Sequence, residues 1–287
     1  MNIFLFKSFI IFIISIISWS GAFYYYSTNN ENYNDYEYDY ETYLFGDSRP
    51  FQLKQNLSRY KIFNAAVQGD SYQDIYRRIS YISSKTNIKN IIIQSDKHML
   101  TTYRDKHNNN DKTSIFTNLN DWDNSIAYIY GKYIYPIFLD PTMKVVARTA
   151  VYNVMSSLLR KVFKSNNISI PINQNFNEKK LLKRYNLQIG NQMQSSIQHK
   201  YLYKIIQFCE LNNIDLFAIN FPLQAKYLEL VKRSKIDINK IMGRENIMLF
   251  DYSDRFINND NYFLDQDHLN NLGANKLVEV FIDDFVK

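Results

Sequence analysis

Cysteine is almost missing from this chain: Cys209 is the only one in 287 residues. A single thiol excludes an internal disulfide and a thiolate metal cluster within one chain. Its apolar neighbours in a helix-like segment mark it as a small buried hydrophobe rather than a nucleophile. Glycine is also scarce, at seven residues, and neither a phosphate-cradling Gly-rich loop nor the G-x-S-x-G elbow of α/β-hydrolases occurs. Of the four histidines, His107 and His199 lie in polar or helical contexts without paired ligands, so neither a metal site nor a cofactor is expected. No zinc-finger, RNP-type or helix-turn-helix pattern is present. The net charge is +6, but basic and acidic residues are interspersed, so nucleic acid is not an expected partner.

Charge itself is missing from Ser8 to Thr28, where Phe9 to Trp19 is almost continuously apolar. Roughly 20 such residues in a helix match a hydrocarbon core of about 30 Å. Lys7 precedes the run and Glu31, Asp35, Glu37, Asp39 and Glu41 follow it. The positive-inside rule then leaves the N-terminus in the cytoplasm and places the remainder in the periplasm or outside the cell. Residues 1–28 thus read as a single-pass anchor, with the membrane as a partner. A cleaved signal peptide is the rival, since Ser20-Gly21-Ala22 offers a small-x-small site, although the aromatic run Phe23 to Tyr26 suits an interfacial belt better. Residues 29–41 read as a polar stalk.

With 46% hydrophobic residues, the chain can fill a sizeable core. From residue 42 onward, strand-like and helix-like segments alternate. Strands are expected at Tyr43 to Phe45, Ile62 to Ala66, Ile88 to Gln94, Ile214 to Ile219 and Ile247 to Phe250. Helices are expected over Pro50 to Tyr60, after the cap Ser71, and over Ile197 to Leu211, Leu223 to Lys232 and Leu272 to Phe285. Such alternation predicts an α/β fold, a central parallel five-stranded sheet covered on both faces. A helical insertion interrupts it at about 99–196, with patterns over Asp123 to Phe138 and Pro141 to Phe163. The second pattern carries Lys144, Arg148, Arg160, Lys161 and Lys164 opposite its apolar stripe. That face is either the solvated side of a cap helix or a surface for anionic lipid or glycan.

Three short segments carry chemistry. Phe45-Gly46-Asp47-Ser48-Arg49-Pro50 holds a serine at a strand-to-helix turn, which exposes its hydroxyl beside helix N–H groups. In Asn64-Ala65-Ala66-Val67-Gln68-Gly69, a glycine past a strand end lets a backbone N–H approach a ligand; the bland alternative is a loop leading to the Ser71 cap. Asp265-Gln266-Asp267-His268-Leu269-Asn270 puts an imidazole and a carboxylate on one turn. A serine nucleophile needs that base, and the base needs a carboxylate on its other nitrogen. Alone, Asp-x-x-His could equally cap a helix or hold a metal.

Together the three blocks resemble the SGNH, or GDSL-like, hydrolase superfamily. The resemblance implies a flavodoxin-like three-layer fold over residues 42–287. It makes Ser48 the nucleophile, His268 its base and Asp265 the orienting acid, with the N–H groups of Ser48 and Gly69 lining the oxyanion hole. Asp267 is expected to point outward or to cap the last helix. The family's third block, Gly-x-Asn-Asp, is replaced by Gln94-Ser95-Asp96-Lys97-His98. An ionised Asp96 would oppose an oxyanion, which leaves Lys97, His98 or the two backbone groups as donors, with Asn64 as a further substrate or oxyanion contact; His98 could instead be a plain surface residue. The functions implied are an extracytoplasmic esterase acting on O-acyl, especially O-acetyl, groups of envelope glycans, or a glycan O-acetyltransferase partnered by a multi-spanning acyl-exporting protein. A non-catalytic glycan-binding scaffold is the third reading.

Overall fold

In the computed structural model, residues 3–29, 37–53, 57–122, 124–134 and 178–285 are described. The chain divides into two compact units, residues 1–35 with 114–173 and residues 36–113 with 174–287. In the first unit, helix α1 spans Ile3–Asn29. Its described large apolar side chains from Phe6 to Ile17 are exposed, Phe9, Ile11, Phe12 and Ile17 reaching at least 60%. Among the described residues no helix is long and apolar enough to cross a membrane, so the anchor expected over residues 1–28 finds no support in the structure. The same unit holds a short helix at Ser125–Ile129, capped by Asn124 Oδ1 on the Ala127 N–H and continued by one wider turn to Ile134. The helical pattern expected over Pro141 to Phe163, with its basic face, lies outside the described residues.

The second unit holds the sheet. Its strands are β1 Thr42–Phe45, β2 Ile62–Asn64, β3 Asn90–Gln94, β4 Asp215–Asn220 and β5 Met248–Asp251. They run in the order β2-β1-β3-β4-β5, and every neighbouring pair is parallel. Period-2 alternation sends successive side chains to opposite faces. Tyr43, Phe45, Ile91 and Ile93 therefore enter one core, while Leu44 and Ile92 enter the other. Because both faces are buried, β1 and β3 read as apolar runs without a polar side.

The first core is closed by α3 (Tyr72–Ser83), α5 (Ser196–Leu211) and α7 (Ile238–Arg244), through Ile75 and Ile79, Leu202 and Ile205, and Ile241. Cys209 is buried there, and burial pushes its thiol up to about 12, which removes it as a nucleophile near neutral pH. Ser71 and Asp74 form a reciprocal capping box at the start of α3. On the other face lie Leu53, Leu57 and helix α8 (Asn271–Phe285), with Leu277, Val278 and Phe281.

Several boundaries differ from expectation. The helix expected over Pro50 to Tyr60 begins earlier, as α2 at Ser48–Phe51, and a separate 3-10 turn covers Ser58–Tyr60. Asp47 causes the early start, since its Oδ1 accepts the Arg49 N–H at 3.0 Å and caps the first turn. Helices α4 (Glu178–Tyr185) and α6 (Ala225–Lys232) pack together through Leu181, Tyr227 and Leu228. The stretch expected as one insertion is thus divided, since residues 99–113 and 178–196 belong to the sheet-bearing unit.

The strand order reverses direction between β1 and β3. In open parallel sheets this is where the carboxyl ends form a crevice. Ser48 follows β1 there, and Gln94 to Asp96 leave β3 beside it.

Candidate active site

Gly46 makes the turn after β1 fit. A Cβ at this position would lie 2.5 Å from Pro50 Cγ and 2.6 Å from Gln94 Oε1. Neither neighbour can yield, because the Pro50 ring is rigid and the buried Gln94 amide is bonded at both ends. Its Oε1 accepts the Asp47 N–H at 2.7 Å, and its Nε2 donates to Asp96 Oδ2 at 2.7 Å. Gly46→Ala is therefore expected to destabilise the fold by about 1–3 kcal/mol, as overpacking does. Denaturant melts measure the loss.

Ser48 is half-buried between fully buried neighbours. Its Oγ lies 2.8 Å from His268 Nε2. The other ring nitrogen, Nδ1, is 2.9 Å from Asp265 Oδ1 and 3.0 Å from Oδ2. A carboxylate only accepts, so Nδ1 carries the proton and Nε2 presents a lone pair to the serine hydroxyl. Asp265 is held although its side chain is 42% exposed. Its Oδ1 also accepts the N–H groups of Asp267 and His268, at 3.1 and 2.9 Å. The loop itself is pinned by a bridge between Phe263 and Leu269 and by Asn270 Oδ1, which accepts the Gly273 N–H at 3.0 Å. The structure thus brings Ser48, His268 and Asp265 into one hydrogen-bonded chain across 220 residues of sequence.

Asp267 departs from expectation. It neither points outward nor caps α8; it is 1% exposed. Its Oδ2 accepts from Arg49 Nη2 at 3.2 Å and from Arg184 Nη2 at 3.1 Å. Burial alone would raise its pKa, but Arg49, Arg184 and His268 outweigh it and hold the carboxyl well below the usual carboxylate range. The donor atoms of Asp265, Asp267 and His268 lie within 4.8 Å of one another. Two guanidinium groups on Asp267 and a ring proton shared with Asp265 suit an imidazole relay better than a cation.

The segment Gln94 to His98 acts as a brace. Asp96 Oδ1 pairs with Arg49 Nη1 at 2.6 Å, both groups being buried, and burial still pushes Asp96 up to about 6. His98 is not a surface residue, because it is 1% exposed and its Nε2 lies 2.8 Å from Asp47 Oδ2. Burial and the charge of Arg49 push its pKa down to about 3, so the ring is neutral. Its Nε2–H is committed to Asp47 and not to an oxyanion. Arg104 Nη2 bonds the same Asp47 oxygen. Burial would raise Asp47, but Arg104, His98 and Arg49 hold it well below the ordinary range. Lys97 is turned to the Ser234 carbonyl at 3.2 Å, on the β4 side of the crevice. Asn64 donates to Pro50 O at 2.6 Å and accepts the Ala66 N–H at 3.0 Å, which uses its amide on the two loops. Neither His98 nor Asn64 is therefore placed as a substrate contact. Gly69 has φ +89°, a conformation that favours glycine, and its carbonyl accepts from Arg104 Nη1 at 3.2 Å.

Sequence reasoning missed Arg49, Arg104 and Arg184. The available signal was three carboxylates, Asp47, Asp96 and Asp267, in loops that follow strands. Such groups require counter-charges if the loops are buried. Arg104 and Arg184 lie too far along the chain to be matched to them by spacing.

No protein-family model and no curated protein matches the chain. Among solved structures, it is similar to the crystal structure of an acetyl xylan esterase, AlAXEase, at 12% identity and a TM-score of 0.39, over 85% of this chain and 98% of that one.

Proposed function

We propose that this chain is a membrane-tethered serine esterase that removes O-acyl groups, foremost O-acetyl, from a cell-envelope glycan. The observation that carries the reading is the relay Ser48 Oγ to His268 Nε2 at 2.8 Å and His268 Nδ1 to Asp265 at 2.9 Å. In that geometry Ser48 attacks the ester carbonyl while its proton passes to Nε2. The tetrahedral oxyanion is received by the N–H groups of Ser48 and Gly69. As the adduct collapses, His268 returns the proton to the departing sugar oxygen and an acyl-serine remains. Water then attacks the acyl carbon, gives a proton to His268, and the acid leaves as Ser48 takes that proton back. The charge-free run from Ser8 to Thr28 and its flanking charges support the tether and an extracytoplasmic site.

The full chain, supplied with an O-acetylated envelope polysaccharide, is expected to release acetate, and Ser48→Ala to lose at least about 10³-fold of that rate. Acetyl appearing on an added oligosaccharide instead of in solution makes a sugar hydroxyl the acceptor. Neither release nor transfer leaves the scaffold reading in its place.

A further inference from the structure

The orienting carboxylate, Asp265, is the more exposed of two that face His268, its side chain being 42% accessible against 1% for Asp267. Water screens an exposed charge, whereas a charge in the protein interior acts at much lower effective dielectric. Asp267 Oδ1 lies 3.5 Å from His268 Nδ1. That oxygen is buried and has no hydrogen-bond partner among the described residues. Its sister oxygen, Oδ2, is clamped by Arg49 from α2 and by Arg184 from α4. Two cations thus keep Asp267 ionised and fix its orientation, leaving one lone-pair-bearing oxygen aimed toward the imidazole edge. A buried carboxylate oxygen without a partner is costly, and a positive charge appearing on His268 would relieve that cost.

We propose that Asp267 is a second positioning carboxylate for His268, sharing with Asp265 the stabilisation of the imidazolium that forms when Ser48 gives up its proton. This rests on Ser48 and His268 acting as nucleophile and base. The proton moves from Ser48 Oγ to His268 Nε2 and back to the leaving oxygen; Asp267 itself takes none, because its two guanidinium partners hold it ionised. Asp265 fixes the ring by a direct hydrogen bond, and Asp267 contributes field from the dry side. The charged groups facing His268 are Asp265 and Asp267 from its own loop and Arg49 from α2, with Arg184 reaching it through Asp267. Burial would lower the imidazole pKa, but the hydrogen bond to Asp265 and the charges of Asp267 and Asp265 hold it above its ordinary value.

The test is the titration of His268 by NMR in the full chain, assigned by loss of its signal in His268→Gln, alongside kcat and KM on a small acetyl ester. Asp267→Asn is expected to lower the His268 pKa and to cut kcat roughly tenfold with KM unchanged, part of the 10²–10⁴ that a general base supplies. An Asp267→Asn protein that melts like wild type yet titrates unchanged at His268 overturns the proposal and leaves Asp267 as an anchor for Arg49 and Arg184 alone. Should Asp267→Asn fail to fold, Arg184→Gln decides, since Arg184 is 28% exposed. Removing that cation leaves Asp267 less neutralised and should raise the His268 pKa; no change there also overturns the proposal. The titration needs no turnover, so it separates failure of this role from failure of the esterase reading.

Discussion

Replacing His268 with alanine is expected to slow ester hydrolysis by about 10³-fold or more while the fold survives. A serine hydroxyl titrates far above neutrality and attacks poorly unless a base takes its proton as the bond forms. In the proposed mechanism that base is His268, which is hydrogen-bonded at both ring nitrogens, 2.8 Å to Ser48 and 2.9 Å to Asp265. Alanine removes both, and a water molecule in the gap is neither oriented nor basic enough to replace the imidazole. The residual rate then comes from binding and the backbone oxyanion donors. The His268 side chain is 12% exposed, so alanine also removes some packing, and the rate is measured on protein whose melt shows it folded. The wild-type pH profile carries the same signature. The relay works only with a neutral imidazole and His268 is held above its ordinary pKa, so activity should rise with pH through a value above the ordinary imidazole range and be lost on the acid side.

The largest effect on stability is expected at Arg49. Its guanidinium bridges Asp96 and Asp267, and all three groups are at most 5% exposed. Arg49→Met keeps much of the volume but leaves Asp96 without its cation and Asp267 with only Arg184. Breaking a buried pair from one side strands a charge, at a cost of about 3–5 kcal/mol. Denaturant melts of the full chain measure this loss. Lys89→Met is the control, because its pair with Glu41 is more than half exposed at both ends and should change stability by less than about 1 kcal/mol. Equal effects at the two positions contradict the placement of Arg49 beneath the site. The network has a functional consequence too, since Gln94, Asp96 and Arg49 brace the turn that carries Ser48 and tie it to the loop that carries His268.

The sheet was legible because β1 and β3 are buried on both faces. Such strands are short apolar runs, and Ile91 to Ile93 can hardly be read otherwise. Ser48, Asp265 and His268 stood out because a Gly-Asp-Ser turn and an Asp-x-x-His turn together resemble the blocks of a known superfamily; spacing alone left Asp-x-x-His free to cap a helix or hold a metal. Asp267 was misplaced for a physical reason. Adjacent residues on an irregular loop have no fixed face, and its burial depends on Arg49, 218 residues away, and on Arg184 in a segment with no motif. His98 was ambiguous in the same way, since only the fold brings Asp47 and Arg104 to it. The missing third-block asparagine read as a defect in the oxyanion hole. In three dimensions Gln94 and Asp96 at that place serve as supports for Asp47 and Arg49. Helix α7 went unrecognised because its seven residues carry too short an apolar pattern to stand out.

The most direct test of the central claim is the site of covalent modification by a fluorophosphonate probe. The full chain is incubated with the probe and digested, and the adduct is located by peptide mass spectrometry. The adduct is expected on Ser48, absent from Ser48→Ala and slowed in His268→Ala, if Ser48 is the nucleophile. An adduct on another residue, or none under conditions where a control serine hydrolase is labelled, contradicts it.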